Sequence, residues 1–524
     1  MREVAELKTD KSSKISLTYG GFFTVATAYL VIPVVIFLMA YLKLPFAIVA
    51  SLAITALTVL MIRHVRSTPK ASEKIELSTG LIVGFSLVIL AWCFISGIGE
   101  FSHCTEDHAV RYAILNDLVK YKWPVFYDLS KQSLPSVKAL IGEDKVAFAY
   151  YFTFYMVPAL LGKLFGLTFA RVALLLWSAF GLFLTTFGIG FYHKKMSPVI
   201  LLIFMIFAGF DILPFIWRVY VQKLNANWEG WNYGYNIHGV FCQNMNVYNQ
   251  SIPGWLLTIL LLSLPDNRYV GTMGSLMFCY SPWATIGILP IAICQVLRND
   301  EKKETKKYLA DIFNIGNIIV PIVIFISFAA FYSANSNATE YKGFSWNFFY
   351  SIGECIESYI LYVIFEFGIW AAILFKSNRK NRLYWVVIAT LLLLPVYQVS
   401  FANDFLMRGT LSPMFTVMVM FTGLFMKDIE RTKENKGQVD FATLGKVVAM
   451  FFAGIVPLLL MISAVMGTVD LYTGKEAEPF QYRIVSFGDM STDKSAELCD
   501  KQFFVHDYED ALFFKYLGKV PKDY

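Results

Sequence analysis

Uncharged stretches long enough to cross a bilayer decide what this chain can fold into. The runs Gly20 to Leu42, Thr79 to Ile98, Ile312 to Tyr332 and Tyr384 to Phe401 each approach or exceed the ~20 residues that carry a helix through ~30 Å of hydrocarbon. They are continuous rather than alternating, which predicts helices and not barrel strands; a helix satisfies its own backbone where water is absent. Composition agrees: 56% of the 524 residues are hydrophobic and 16% charged, against about 25% charged in soluble domains. The fold class expected is all-α, a polytopic transmembrane protein. No small-residue cleavage site follows the first run and a second span begins almost at once, so that run reads as a retained anchor and not as a signal peptide.

Orientation follows from where Lys and Arg fall in short connections. Basic segments recur at the N-terminus (Arg2, Lys8, Lys11, Lys14) and at Arg63–Lys74, His193–Lys195, Arg298–Lys307, Lys376–Arg382 and Lys427–Lys436. Placing these in the cytoplasm leaves connections 99–145, 215–250, 334–355 and 403–409 and the tail from Leu471 outside. The parity closes only if the stretch 146–166, broken by Pro158 and Lys163, dips into the outer leaflet without crossing. About 13 crossings then result, with the N-terminus cytoplasmic, the C-terminus extracytoplasmic and juxtamembrane helices on the outer face of a cell membrane. The organisation expected is an N-terminal hairpin (1–77), a core (78–430), a last transmembrane helix (431–470) and an outer tail (471–524) carrying Phe503, Phe504, Phe513 and Phe514.

The net charge of +6 carries information only through this distribution, and nothing in it implies nucleic acid. The seven cysteines, Cys93, Cys104, Cys242, Cys279, Cys294, Cys355 and Cys499, form no CxxC pair and no zinc spacing, and read as isolated thiols.

Polar chemistry concentrates in the predicted outer connections. Thr105 is suited to cap a helix whose first turn holds Glu106 and Asp107, where the dipole favours carboxylates. Asp107 and Arg111 stand i,i+4, a spacing that serves simple helix support. It serves equally a base that takes a proton from an attacking hydroxyl beside an arginine that positions it. His103 and His108 are alternative bases or metal ligands. Asp211 ends the apolar run Phe207–Asp211, where a carboxylate is expensive unless it meets water or a partner. Trp228, Trp231, Asn249 and Gln250 combine aromatic faces with amides, as sugar sites do, although aromatic residues also gather at membrane interfaces. Arg408 has the fork geometry for a phosphate, or pairs with Asp404. Glu366, deep in a long span, reads as a buried structural hydrogen-bonding group.

Taken in order, these patches resemble the membrane-embedded glycosyltransferases of the GT-C superfamily over roughly residues 78–430: an acidic outer loop after an early span, a Pro-containing juxtamembrane stretch with Arg171 shortly after it, and an Asp at the outer end of a later span. More closely, the chain is similar to a group of bacterial polytopic membrane proteins. The matching elements are Asp107 with Arg111, Ala113-Ile114, Asp117-Leu118 and Trp123-Pro124-Val125; Phe207 to Asp211; Asn249 to Trp255; and Asn403 to Arg408. His108 stands where an aromatic residue is expected and Glu100 where a second glycine is expected, which leaves the base open between Glu106 and Asp107. The resemblance implies a GT-C-like fold and a polyprenyl-phosphate-sugar donor. The expected activity is sugar transfer to a surface glycan, lipid or protein, with Asp107 as base and Arg408, with Arg111 or Arg171, compensating the departing phosphate. Asp211 is expected to orient the acceptor or a divalent cation, Mg or Mn. A flippase or exporter of lipid-linked sugars is the alternative, but it predicts an inverted repeat that the sequence does not show.

Overall fold

A computed structural model of the chain describes residues 14–131, 141–142, 144–232, 234–298, 303–335, 342–400, 403–475, 485–489 and 502–521. Among these, six helices are long and apolar enough to cross a membrane: Tyr19–Tyr41, Leu44–Ser67, Leu167–Tyr192, Thr305–Ser333, Ile352–Asn378 and Phe441–Thr473. Shorter apolar helices, among them Thr79–Ile95, Val270–Tyr280 and Pro282–Val296, fill in between them. Val49 and Leu52, Phe325 and Ile326, and Phe451 and Ile462 point outward from the long helices and are exposed. Apolar surface on that scale is what lipid covers. The all-α membrane body predicted from the uncharged runs is therefore present.

Helix starts are set by local chemistry. Thr18 accepts from the amide of Gly21 at 3.2 Å and Ser78 from that of Leu81 at 3.2 Å, so each caps a helix entering the apolar layer. The residues just before them pair as an antiparallel ribbon, Lys14–Thr18 against Lys74–Ser78, fixing the feet of the first and third helices together.

At the centre stands Val240–Leu262, every residue of which except Asn246 is buried. Its helical angles break at Val247 (φ −138°, ψ 32°), and Pro253 follows within the same helix. Proline leaves the carbonyl four residues back without its helical donor, so this helix carries released backbone groups inside the protein. Asn249 and Gln250, expected within the outer connection 215–250, lie instead along this buried, kinked helix. Gly and Pro are tolerated there because neighbouring helices satisfy what the kink frees.

The basic segments meet at one end of the bundle. Lys194 pairs with Glu73 at 2.8 Å, Lys195 with Glu430, and His64 with Asp266 at 2.7 Å. Arg298, Lys380 and Arg382 line one cavity of about 550 Å³. Connections 99–145, 215–250, 334–355 and 403–409 gather at the opposite end. Arg111 bonds the carbonyl of Asn246, the Asn403 amide donates to the carbonyl of Gly234 at 2.7 Å, and the Tyr235 hydroxyl meets Cys355 Sγ at 3.3 Å.

This second end is capped by a layer that hydropathy did not reveal. Phe126–Asp128 pairs with Lys145–Phe148, which pairs in turn with Phe504–Val505. The stretch 146–166 provides that middle strand, a turn at Thr153–Tyr155 and the helix Met156–Phe165. The helix Met156–Phe165 has ten residues and spans about 15 Å, half of the hydrocarbon thickness. From the tail, Phe513 packs on Phe331 with ring centroids 5.0 Å apart, and the amide of Lys43 donates to Leu517 at 2.7 Å. The described part of the tail is thus packed on the surface; Cys499 lies outside the described residues.

Asp117, on the surface helix Glu106–Lys120, ties tail to body by accepting from the Tyr127 hydroxyl and the Phe487 amide, each at 2.8 Å. Burial pushes its carboxyl from the ordinary 3.8 up to about 6. The folded state therefore holds this proton more tightly than the unfolded chain. The stability it supplies is full below about pH 4 and lost as pH rises through about 6, about 3 kcal/mol in all. Unfolding of detergent-solubilised protein between pH 4 and 7 should show a fall in stability that Asp117→Asn flattens; an identical slope in the variant refutes the assignment.

Candidate functional site

The site grows from the first turn of the helix Glu106–Lys120. Thr105 caps it as the sequence predicts, but its partner is His108, whose Nδ1 accepts from the Thr105 amide at 3.1 Å. That bond leaves the proton on Nε2, which donates to the carbonyl of Ser96 at 3.0 Å. His108 is buried, and burial pulls its pKa down to about 4, so it is a neutral structural cap with both nitrogens occupied. It is available neither as a base nor as a metal ligand. His103 packs its ring against Gly467 of the last long helix. Asp107 is exposed; the side chain of Glu106 lies outside the described residues.

Arg111 does not pair with Asp107. It is buried, donates from Nε to the Asn246 carbonyl at 2.7 Å and from Nη1 to Asn249 Oδ1 at 3.0 Å, and stands over the Tyr248 ring at 5.7 Å. The carbonyl it takes lies just before the break at Val247. Gln250 is wholly buried, and neither side-chain atom has a hydrogen-bond partner among the described residues. Arg171 bonds the carbonyls of Gly99 and Glu100, at 2.8 and 2.5 Å, and so shapes the loop before the surface helix.

Asp211 is buried where the helix Pro198–Ile206 gives way to a short turn, and accepts from the Trp231 indole at 2.8 Å. Trp231 is itself buried and borders a cavity of about 720 Å³ with Arg218, Phe349 and Glu354. Glu366 sits on a π-helical stretch, Val363–Gly368, where its buried carboxyl group meets that of Asp211 and the backbone amide of Ile237, as expected of a buried hydrogen-bonding group.

Arg408 and Asp404 form an ion pair at 2.9 Å, while Arg408 Nε is buried without a partner among the described residues. Asn403 starts their short helix in the left-handed conformation (φ 53°), its Oδ1 accepting from the Leu406 amide at 3.3 Å. The charges of Arg408, Asp404 and Asp107 all bear on His238, and those of Arg111, Arg408 and Asp404 on Tyr150, which stacks on Tyr151 at 3.9 Å. Segments around positions 107, 238 and 404 thus converge.

Trp228, half-buried, lines a cavity of about 360 Å³ with Glu229, His238, Cys242 and Asn246. Within it the ligand atoms of Glu229, His238 and Cys242 lie within 4.8 Å of one another. From the sequence Cys242 reads only as an isolated thiol, and Glu229, His238, Tyr150 and Tyr151 are not singled out. The signal was present in His238 and Cys242, spaced i,i+4 across a helix start, the spacing that places two side chains on one face. Burial lowers the pKa of His238 to about 4, so its ring is neutral.

Comparison with protein-family models, with curated proteins and with solved structures finds no match in any of the three. The Arg408 helix is seated by close backbone contact: a Cβ built on Gly287 would stand 1.7 Å from the Gly409 carbonyl oxygen. Gly287→Ala must push that turn away, a strain of about 1–3 kcal/mol or more. A lowered melting temperature in detergent is expected, and wild-type stability in this variant contradicts the packing.

Proposed function

We propose that the protein is a membrane glycosyltransferase of the GT-C kind, with about 13 crossings, its basic end cytoplasmic and the end carrying Asp107 extracytoplasmic. It moves a sugar from a polyprenyl-phosphate donor to a hydroxyl on a surface glycan, lipid or protein. The observation that carries this reading is convergence. Asp107 and the Asp404–Arg408 pair come from distant parts of the chain, and their charges act at one place, on the neutral ring of His238, beside a cavity edged by Trp228.

In this reading the acceptor oxygen attacks the anomeric carbon as the bond from that carbon to the phosphate oxygen breaks, with inversion. The acceptor proton passes to Asp107, which is exposed and is spared both by Arg111 and by the capping histidine. The phosphate leaves on its lipid with its charge compensated by Arg408, since preorganised charge at the site of developing charge is usually the largest catalytic term. Arg111 acts as a positioning residue, because its guanidinium is committed to Asn246 and Asn249. Trp228 offers a face to the sugar. A lipid-borne donor enters such a site from the bilayer without leaving it, which favours transfer chemistry at a membrane-embedded cavity.

The test is transfer from labelled undecaprenyl-phosphate sugars by purified protein in lipid nanodiscs. Asp107→Asn should lower turnover by about 10²–10⁴ with donor binding retained, and Arg408→Ala should lower it with donor binding weakened. Transfer by Asp107→Asn at the wild-type rate eliminates the assignment.

A further inference from the structure

Glu229, His238 and Cys242 present an oxygen, an imidazole nitrogen and a sulfur to one another within 4.8 Å. Glu229 comes from the connection 222–239, His238 from its last turn and Cys242 from the first turn of the helix that opens at Val240. All three line the 360 Å³ cavity. We propose that they form a binding site for a single divalent transition-metal ion of zinc type, its fourth coordination position open to that cavity.

The donor set selects the metal class. Calcium and magnesium take oxygen ligands, whereas a thiol with an imidazole and one carboxylate suits zinc or its cobalt substitute. Around a tetrahedral zinc with bonds of about 2.0–2.3 Å the donors stand roughly 3.3–3.8 Å apart, so modest side-chain adjustment closes the observed cluster. Three protein ligands and one vacant direction are the arrangement of metal centres that hold water or substrate, in contrast to closed four-ligand structural sites. The Mg or Mn expected from the sequence beside Asp211 does not fit this set.

Independent features point the same way. Glu229 is buried, with Oε2 accepting from the Gly239 amide at 3.0 Å, while Oε1 is buried with no hydrogen-bond partner among the described residues. An ionisable oxygen so placed is costly unless a cation or donor meets it. The approach of this carboxylate to the backbone uses the bare Gly239, where a Cβ would stand 3.3 Å from Oε1 and 2.8 Å from Ala208. Asn246 donates to Cys242 Sγ at 3.4 Å and accepts from the Thr105 hydroxyl at 3.1 Å. A hydrogen-bonded outer sphere of this type orients metal ligands and governs affinity. It also connects the cluster to the cap of the helix bearing Asp107. Nothing here depends on the transferase reading, since the ligands, the cavity and the outer sphere are properties of the resting protein.

The experiment uses full-length protein purified in detergent without a histidine tag, stripped with a chelator, and titrated with Co²⁺ and then Zn²⁺. The expected result is one equivalent of cobalt giving a thiolate-to-cobalt charge-transfer band and intense tetrahedral d–d bands, both erased by one equivalent of zinc. Cys242→Ser should abolish the charge-transfer band, and His238→Ala should weaken binding at least about 100-fold, as loss of an outer-sphere partner alone costs 10–100-fold. Cys355→Ser, altering a thiol paired with Tyr235, should leave both unchanged. Wild-type protein that binds no cobalt, or binds it without a sulfur ligand, overturns the proposal whether or not the variants fold. A charge-transfer band that survives Cys242→Ser overturns it too. Because no donor or acceptor takes part, failure here leaves the proposed transfer reaction standing, and failure of transfer leaves the metal site standing.

Discussion

The guanidinium of Arg111 and the broken helix it grips hold the two layers of this protein together. A buried arginine is tolerable only where its donors are met, and the central helix offers partners because its helical angles fail at Val247. The Asn246 carbonyl and the Asn249 side chain take Nε and Nη1, and Tyr248 lies under the charge. The surface helix is thereby fastened to the membrane body one turn after Asp107. Had Val240–Leu262 been a regular helix, the Asn246 carbonyl would have been taken by the amide four residues on, leaving Arg111 only the Asn249 side chain to hold.

The broad fold was legible because its physics is one-dimensional. Spans show in uncharged runs, and the basic end shows in the loops from Arg63–Lys74 to Lys427–Lys436, which the structure brings together through pairs such as Lys194 with Glu73. Thr105 was legible as a cap, since capping is local. What escaped was long-range. The ribbon joining Phe126–Asp128, Lys145–Phe148 and Phe504–Val505 unites segments whose separation gives no periodic signal. Asn249 and Gln250 were assigned to an outer connection because local sequence gives no hint that surrounding helices will bury a kinked helix there.

The site divides along the same line. The segments bearing Asp107 and Arg408 were recognisable as polar islands between spans, and they do approach a common place. The partners were not recognisable: Arg111 faces the central helix instead of Asp107, and His108 belongs to the cap. Glu229, His238 and Cys242 meet only because the connection 222–239 folds back over the helix that follows it. A search for paired cysteines passes over a site in which one thiol is joined by an acid and an imidazole.

The junction between the first hairpin and the last described residues carries a consequence for biosynthesis. Leu42 bridges Gly518, and Lys519 bonds the carbonyls of Met39 and Ala40, so a corner built by the earliest helices is completed by residues made some 476 positions later (518 minus 42). At 5–20 residues per second the ribosome needs roughly 25–95 s to supply them. Until then the Tyr41 carbonyl, which the Lys519 amide later meets, and, once it is made, the Phe331 ring on which Phe513 packs remain open to lipid or to chaperones. A ribosome that stalls late therefore leaves a membrane body almost fully inserted but unsealed at this corner.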